Sequence, residues 1–250
     1  MKKRQLVFFL FILIFSSFFT GLHADESDSG RITWLSDQKP VISGTWAYTA
    51  PFRRDLRTTS PAEEFIAALD MRELRADWGI KYQTSQLDIA SHIFYMPTIS
   101  NICQFGLGLN YHFYRYFGEF TENDFIVTLR FRWIKGPVFS FENGVGYLFK
   151  TATIDAIKEY KSRINNLSYN YDLICRWQFV PAFGLWCGLQ LQDFFDYPLA
   201  ISPIYKFGLD LKCNPTITFG SDLSLKYADM FFSAVYLNET VLRFTCKVAI

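Results

Sequence analysis

Ionisable side chains recur at alternate positions through much of the chain, and they are the residues best able to do chemistry. Ten bases and six acids fall in this pattern, together with neutral polar residues and two histidines. Rings of Lys and Arg in a pore favour anions, whereas paired acids and bases form networks that fill space. The candidate residues are Arg75, Asp77, Lys81, Asp88, His92, Gln104, Asn110, His112, Arg130, Arg132, Glu142, Asp172, Arg176, Gln190, Lys206, Asp210, Lys212, Asp222, Lys226, Arg243 and Lys247.

His92 and His112 are the candidates for general-base chemistry near neutral pH. Catalysis would require a nucleophile or activated water, a base and an orienting carboxylate within hydrogen-bond reach. Because His92 and His112 fall toward opposite ends of their strands, we predict that they do not share a site. The sequence also lacks phosphate loops, zinc-ligand spacings and dinucleotide fingerprints. We therefore predict no enzymatic activity and no cofactor or metal.

Strand periodicity must position these residues. From about Leu74 onward, apolar residues recur at every second position over segments of nine or more, with the polar set between them. The clearest segment alternates apolar residues from Cys103 to Phe113 with small or polar residues from Gln104 to Tyr114. Ten strands are the preferred prediction, and an alternative of twelve would result if residues 45–48 and 64–71 were also strands. Ten strands are predicted near 72–83, 86–96, 101–117, 123–134, 138–150, 169–180, 182–194, 203–213, 216–227 and 240–250.

The apolar face of these segments predicts a sheet that closes within a membrane. The segments reach the roughly nine to eleven residues that a tilted strand needs to cross the hydrocarbon layer, and aromatic residues crowd their ends. In lipid every backbone group must be paired, so the sheet cannot leave an open edge. We predict an all-β fold, a closed antiparallel transmembrane β-barrel of about ten strands within a range of about eight to twelve. The candidate residues would then line its lumen.

The amino-terminal region predicts export. Positive charge in Met1–Arg4 precedes the apolar run Leu6–Phe19, which is the order of a secretory signal peptide, here residues 1–24 with cleavage near Ala24. Residues 25–71 are predicted to form a periplasmic segment, and residues 72–250 the barrel. Within that segment, Ser60-Pro61-Ala62-Glu63 has the pattern of a capping box with proline at the first helical position, which predicts a short amphipathic helix.

Five cysteines, at 103, 175, 187, 213 and 246, fall on the apolar faces of the predicted strands. A thiol in that position behaves as a small hydrophobic group. We therefore predict no disulfides.

The charged amino terminus, the repeated alternation and the apolar final strand resemble the small bacterial outer-membrane β-barrel superfamily over residues 72–250. Leu242, Phe244, Cys246 and Val248 fit the superfamily's final strand, although the last residue is Ile250 where an aromatic is usual. The resemblance implies localisation in the outer membrane of a diderm bacterium. It also implies contact with outer-membrane lipids and recognition by the barrel assembly machinery.

The polar face, with more bases than acids, predicts a narrow pore or a permeability protein for small solutes. The net charge of +1 gives no argument for nucleic acid as a partner. One alternative is a non-conducting structural or adhesin-like barrel that acts through external loops, which are predicted at 151–168, 195–202 and 228–239. A soluble lipocalin-like periplasmic barrel, with its apolar face inside, is another. An outer-membrane lipid-modifying enzyme is the least favoured.

Overall fold

The computed structural model describes residues 39–51, 61–100, 102–116, 120–135, 138–154, 161–195, 203–228 and 236–250. Among these residues no helix is long and apolar enough to cross a membrane. The predicted signal peptide lies outside the described residues. The strands are β1 (Val41–Pro51), β2 (Ala62–Asp70), β3 (Leu74–Gln83), β4 (Gln86–Tyr95), β5 (Thr98–Ser100), β6 (Cys103–Tyr116), β7 (Phe120–Lys135), β8 (Phe139–Ile154), β9 (Lys161–Val180), β10 (Phe183–Gln190), β11 (Ile204–Lys212), β12 (Ile217–Ala228) and β13 (Tyr236–Ala249).

Twelve of these strands form a closed antiparallel barrel, which confirms the predicted architecture. The preferred number of ten is wrong, and the alternative of twelve strands, with added strands at 45–48 and 64–71, is the one observed. Each strand pairs with its neighbour in sequence, and β4 pairs with β6. The ring closes where β1 pairs with β13, from Val41 opposite Ala249 to Pro51 opposite Glu239. The short strand β5 adds to β6 at one end of the wall. We call the end that holds Val41 and Ala249 the near end, and the opposite end the far end.

The predicted amphipathic helix is wrong, because residues 62–70 are strand β2. Glu64 is 1% exposed whereas Phe65 is 52% exposed, so successive side chains point to opposite faces. β2 pairs along both of its edges, with β1 and β3. Pairing of backbone groups on both sides outweighs the weak local preference for a helix. The barrel consequently begins at Val41 rather than at residue 72.

The outer wall of the barrel is apolar and the inner wall is polar. On β6 and β7, Leu107 and Leu129 are 57% and 52% exposed, whereas Gln104 and Asn110 on the inner side are buried. A lipocalin-like barrel would place the apolar face inside, and this barrel has the opposite arrangement. Apolar side chains on the outside of a closed sheet fit the hydrocarbon layer of a membrane.

The far-end connections differ from the prediction. The expected loop at 151–168 is largely strand, because β8 continues to Ile154 and β9 begins at Lys161, so that residues 155–160 join them. Similarly, β13 begins at Tyr236, within the expected loop at 228–239. The near-end turns at 181–182 and 213–216 are short.

All five cysteines are free thiols in the structure. Cys175 and Cys187 lie opposite each other on β9 and β10, and Cys246 lies opposite Phe219.

Candidate functional site

The strands place many of the predicted site residues around one cavity of about 290 Å³ inside the barrel. A larger groove of about 840 Å³ lies among the apolar residues of the wall and includes Trp46, Phe65 and Trp78, which point outward. We take the inner cavity as the site because its lining is polar. The predicted residues that line it are Arg75, Asp77, His92, Asn110, His112, Arg130, Glu142, Asp172, Gln190, Lys206, Asp222 and Arg243.

The remaining predicted residues lie outside this cavity. Arg132 is paired with Glu142. Arg176, Asp210 and Lys212 line a separate recess at the near end of the barrel. Lys247 forms an ion pair with Asp210 at 3.0 Å. The buried side chains Lys81, Asp88, Gln104 and Lys226 complete the set.

The first residues after β10 turn into the lumen instead of leaving the barrel. We call residues Leu191–Phe195 the lumen segment. The ring of Phe194 lies 4.4 Å from the ring of His92, centre to centre, and packs edge-on against Phe195 at 4.8 Å. Gly79 on β3 lies directly beneath both phenylalanines, and any side chain there would collide with their rings. The lumen segment thus narrows the barrel against the β3–β4 wall.

Asp193 of the lumen segment is the common ion-pair partner of three bases from three adjacent strands. It pairs with Arg243, with Lys206 at 3.3 Å and with Lys226 at 3.5 Å. We call Arg243, Lys206 and Lys226 the basic triad. Burial alone would raise the pKa of Asp193, but the nearby charges of the triad hold that pKa well below its ordinary value. Asp193 is therefore ionised at neutral pH.

Glu64 forms a second acidic centre beside the triad. Its carboxylate accepts a hydrogen bond from Thr49 at 2.8 Å and lies 3.4 Å from Lys81 Nζ and 3.8 Å from Arg243. Arg243 also donates to Ser224 at 2.6 Å. The two terminal nitrogens of this guanidinium are thereby directed at different strands, Nη1 at β12 and Nη2 at β2, which fixes Arg243 across the lumen.

The opposite wall carries its own network around Glu142. This carboxylate pairs with Arg130, and with Arg132 at 3.0 Å. The Arg130 guanidinium lies 3.9 Å above the centre of the Phe94 ring, a cation–π arrangement. Arg75 pairs with Asp77 at 3.0 Å. Two charge networks therefore face each other across the cavity.

The lumen holds more acid than the alternation indicated. Lys150 pairs with Glu122 at 2.8 Å, which the predicted strand boundaries did not place inside, and Lys226 pairs with Glu239 at 3.7 Å. The excess of bases inferred from the sequence is consequently smaller in the structure. The acids that sequence reasoning missed are Glu64, Glu122, Asp124, Asp193 and Glu239.

His92 and His112 meet, contrary to the prediction that they would lie apart. Their Nε2 atoms are 2.9 Å apart, and the Tyr114 hydroxyl lies 3.0 Å from Nδ1 of His112. The pairing register puts His92 opposite Asn110, so His112 is one diagonal step away on the same face. Among the described residues, no group of three or more His, Cys, Asp and Glu side chains is arranged to hold a metal ion.

The closed barrel, with its apolar outer wall and its polar, narrowed lumen, has the architecture of a transmembrane β-barrel. Among solved structures, the chain is similar to the NanC porin, with 15% identity and a TM-score of 0.53 over 84% of this chain and 100% of that one. It is also similar to the KdgM porin in complex with disordered oligogalacturonate, with 10% identity and a TM-score of 0.48 over 83% and 99% of the two chains. A third similar structure is the COG4313 outer membrane channel from Pseudomonas putida F1, with 10% identity and a TM-score of 0.49 over 90% and 100%.

No protein-family model and no curated protein matches the sequence. At these identities the structural likeness concerns the fold alone. At that level the NanC porin and this chain share a β-barrel fold.

Proposed function

We propose that the protein is a narrow outer-membrane pore for small polar solutes and that the lumen segment Leu191–Phe195 is its constriction. One observation carries the proposal. A polar cavity lies inside an apolar-walled barrel, and a connection from the far end turns inward to line it through Asp193 and Phe194. Such an arrangement is typical of a barrel that lets solutes pass through its lumen rather than of a barrel that acts only through its external surface.

The size of the cavity limits what can pass. Its volume of about 290 Å³ is just below the ~300–1,000 Å³ that ligand pockets usually span. Ions and small solutes fit this space, whereas a folded chain or a long polymer does not unless the lumen segment moves. The lining is charged and polar, so hydrated solutes are favoured over apolar ones.

The same proposal assigns the orientation and the biogenesis. Short near-end turns and the two chain ends would face the periplasm, with the longer connections outside. Residues 1–24 would be removed on export, the apolar exterior would contact outer-membrane lipids, and the final strand β13 would be read by the barrel assembly machinery. No catalytic step is part of the proposal.

A second candidate is a non-conducting barrel that acts through its external connections. Its support is the density of ion pairs in the lumen. Asp193, Glu64 and Glu142 each pair with two or more bases, and such networks can plug a narrow barrel.

Single-channel recording in planar bilayers distinguishes the two candidates. The wild-type protein is compared with Phe194→Ala, which trims the constriction, and with Phe207→Ala on the outer face of β11, which is 51% exposed. A pore gives conductance steps in the wild type, larger steps with Phe194→Ala and unchanged steps with Phe207→Ala. Bilayers that stay silent with both the wild type and Phe194→Ala would exclude the pore and favour the non-conducting barrel.

A further inference from the structure

The basic triad has the composition of an oxyanion site, with one guanidinium and two ammonium groups directed at a single carboxylate. Arg243, Lys206 and Lys226 come from β13, β11 and β12, and their common partner is Asp193. The side chain of Asp193 is 6% exposed. A carboxylate enclosed by bases on three strands is held as a bound anionic ligand would be.

Asp193 differs from the other acids near the triad because it does not belong to the barrel wall. Glu64, Asp222 and Glu239 lie on β2, β12 and β13, where strand pairing fixes them. Asp193 lies beyond the end of β10 at Gln190. The sheet hydrogen bonding next to it reaches Leu191, whose N–H donates to Tyr171 O at 3.1 Å. Asp193 can therefore leave the triad without breaking a strand pair.

The acids of the wall do not replace Asp193 at all three bases. Glu64 pairs with Lys81 at 3.4 Å as well as with Arg243. Of the three triad bases, Asp222 pairs with Arg243, at 3.4 Å. Glu239 lies 3.7 Å from Lys226. Without Asp193, Nη2 of Arg243 would keep only Glu64 at 3.8 Å, and Lys206 would keep the weaker electrostatic interaction with Asp172 on β9. Arg243 and Lys206 both line the central cavity.

We infer that the basic triad is a binding site for the carboxylate or phosphate group of a small anionic solute, and that Asp193 occupies this site as a tethered competitor. The inference rests on the proposed pore only for the route by which a solute reaches the triad. An incoming oxyanion would take over the ion pairs of Asp193 and release the lumen segment. The solute that binds would then also widen the constriction.

Equilibrium binding to the full-length protein in detergent micelles tests the site. Citrate and inorganic pyrophosphate are the probes, glycerol is the neutral control, and isothermal titration calorimetry at low salt gives the affinities. Asp193→Asn keeps the shape of the side chain and removes its charge. Losing one charged competitor should tighten binding of both anions by about tenfold or more, a typical effect of one charge-assisted contact. Glycerol should not bind detectably to any form.

Two further variants serve as controls. Asp210→Asn removes an acid of the same type from the near end, where its partner is Lys247, and it should leave the affinity at the wild-type value. Adding Arg243→Met to Asp193→Asn should abolish the gain. If Asp193→Asn does not give a folded, heat-modifiable barrel, Phe194→Ala replaces it, because loosening the lumen segment should also tighten anion binding.

An affinity in Asp193→Asn, or in its substitute, that does not exceed that of Asp210→Asn would overturn the inference. The bilayer experiment separates this failure from that of the pore. If the protein binds anions more tightly without Asp193 but never conducts, the anion site stands and the pore is wrong. If it conducts while the affinity is unchanged, the pore stands and the tethered competitor is wrong.

Discussion

Replacing Glu64 by Gln should destabilise the barrel strongly, because it leaves Lys81 buried without its nearest charged partner. The Lys81 side chain is 8% exposed and its Nζ lies 3.4 Å from Glu64. Breaking a buried pair by removing one partner costs about 3–5 kcal/mol. Asp88 lies opposite Lys81 on β4 and Arg243 keeps Asp193, so both bases retain some compensation. We therefore expect a loss of about 3 kcal/mol, the lower end of that range.

Urea unfolding in lipid vesicles, followed by tryptophan fluorescence, measures this loss. The matched control is Asp210→Asn, whose pair with Lys247 is 26% and 41% exposed and should be worth about 0–1 kcal/mol. Combining Glu64→Gln with Lys81→Met should recover much of the stability, because no unpaired charge is left. A Glu64→Gln variant that is as stable as Asp210→Asn would refute the placement of Glu64 in the lumen, and with it the strand β2.

Three further predictions follow from the same geometry. Gly106→Ala should prevent formation of the heat-modifiable barrel, because its methyl group would overlap the backbone at the end of β4, whereas the control Gly44→Ala should fold normally since nothing lies within 4 Å of the added methyl group. A folded Gly106→Ala barrel would contradict the pairing of β4 with β6. Leu129→Arg on the apolar outer face should lower the free energy of unfolding by about 2–4 kcal/mol, and Ala68→Arg on the polar inner face should lower it by less. Equal losses would contradict the assignment of Leu129 to the outer face and of Ala68 to the inner face. The pKa of Asp193 is lowered in the folded protein, so the difference in unfolding free energy between the wild type and Asp193→Asn should be constant from about pH 8 to 5 and should decline only below the ordinary Asp pKa of about 4. A decline that begins above about pH 5 would contradict the ion pairs between Asp193 and the triad.

Alternation with a period of two predicted the faces of the long strands because burial on one side of a sheet forces that period. On β6 the residues expected outside, such as Leu107, are exposed, and Gln104 on the other face is 1% exposed. For β2 the preferred prediction was a helix, and a strand at 64–71 was only the alternative, because the alternation is weak there. Its adjacent Glu63 and Glu64, followed by alanines, fit a helix as well as a strand until pairing with β1 and β3 is known.

The contacts within the site were harder to predict than the inner and outer faces of the strands. These contacts depend on the pairing register between strands and on the path of the chain after β10. Whether His92 meets His112 is decided by a diagonal between β4 and β6, which neither strand encodes alone. Glu122 was missed because the predicted start of β7 was too late. Asp193 has no periodic signal, as it lies after β10 in a segment that turns inward through its ring contacts.

Three bases on adjacent strands that converge at one point would repel one another. Glu64 and Asp222 of the wall reach Arg243, and Glu239 reaches Lys226, but no wall acid pairs with all three bases among the described residues, so part of this repulsion remains. An acid on the lumen segment is able to offset it, and that acid brings Phe194 into the lumen with it. Constriction and charge neutralisation are therefore consequences of the same contact. Any event that withdraws the lumen segment widens the lumen and exposes the triad at once. In the proposed pore, permeability and the preference for anions should accordingly rise together.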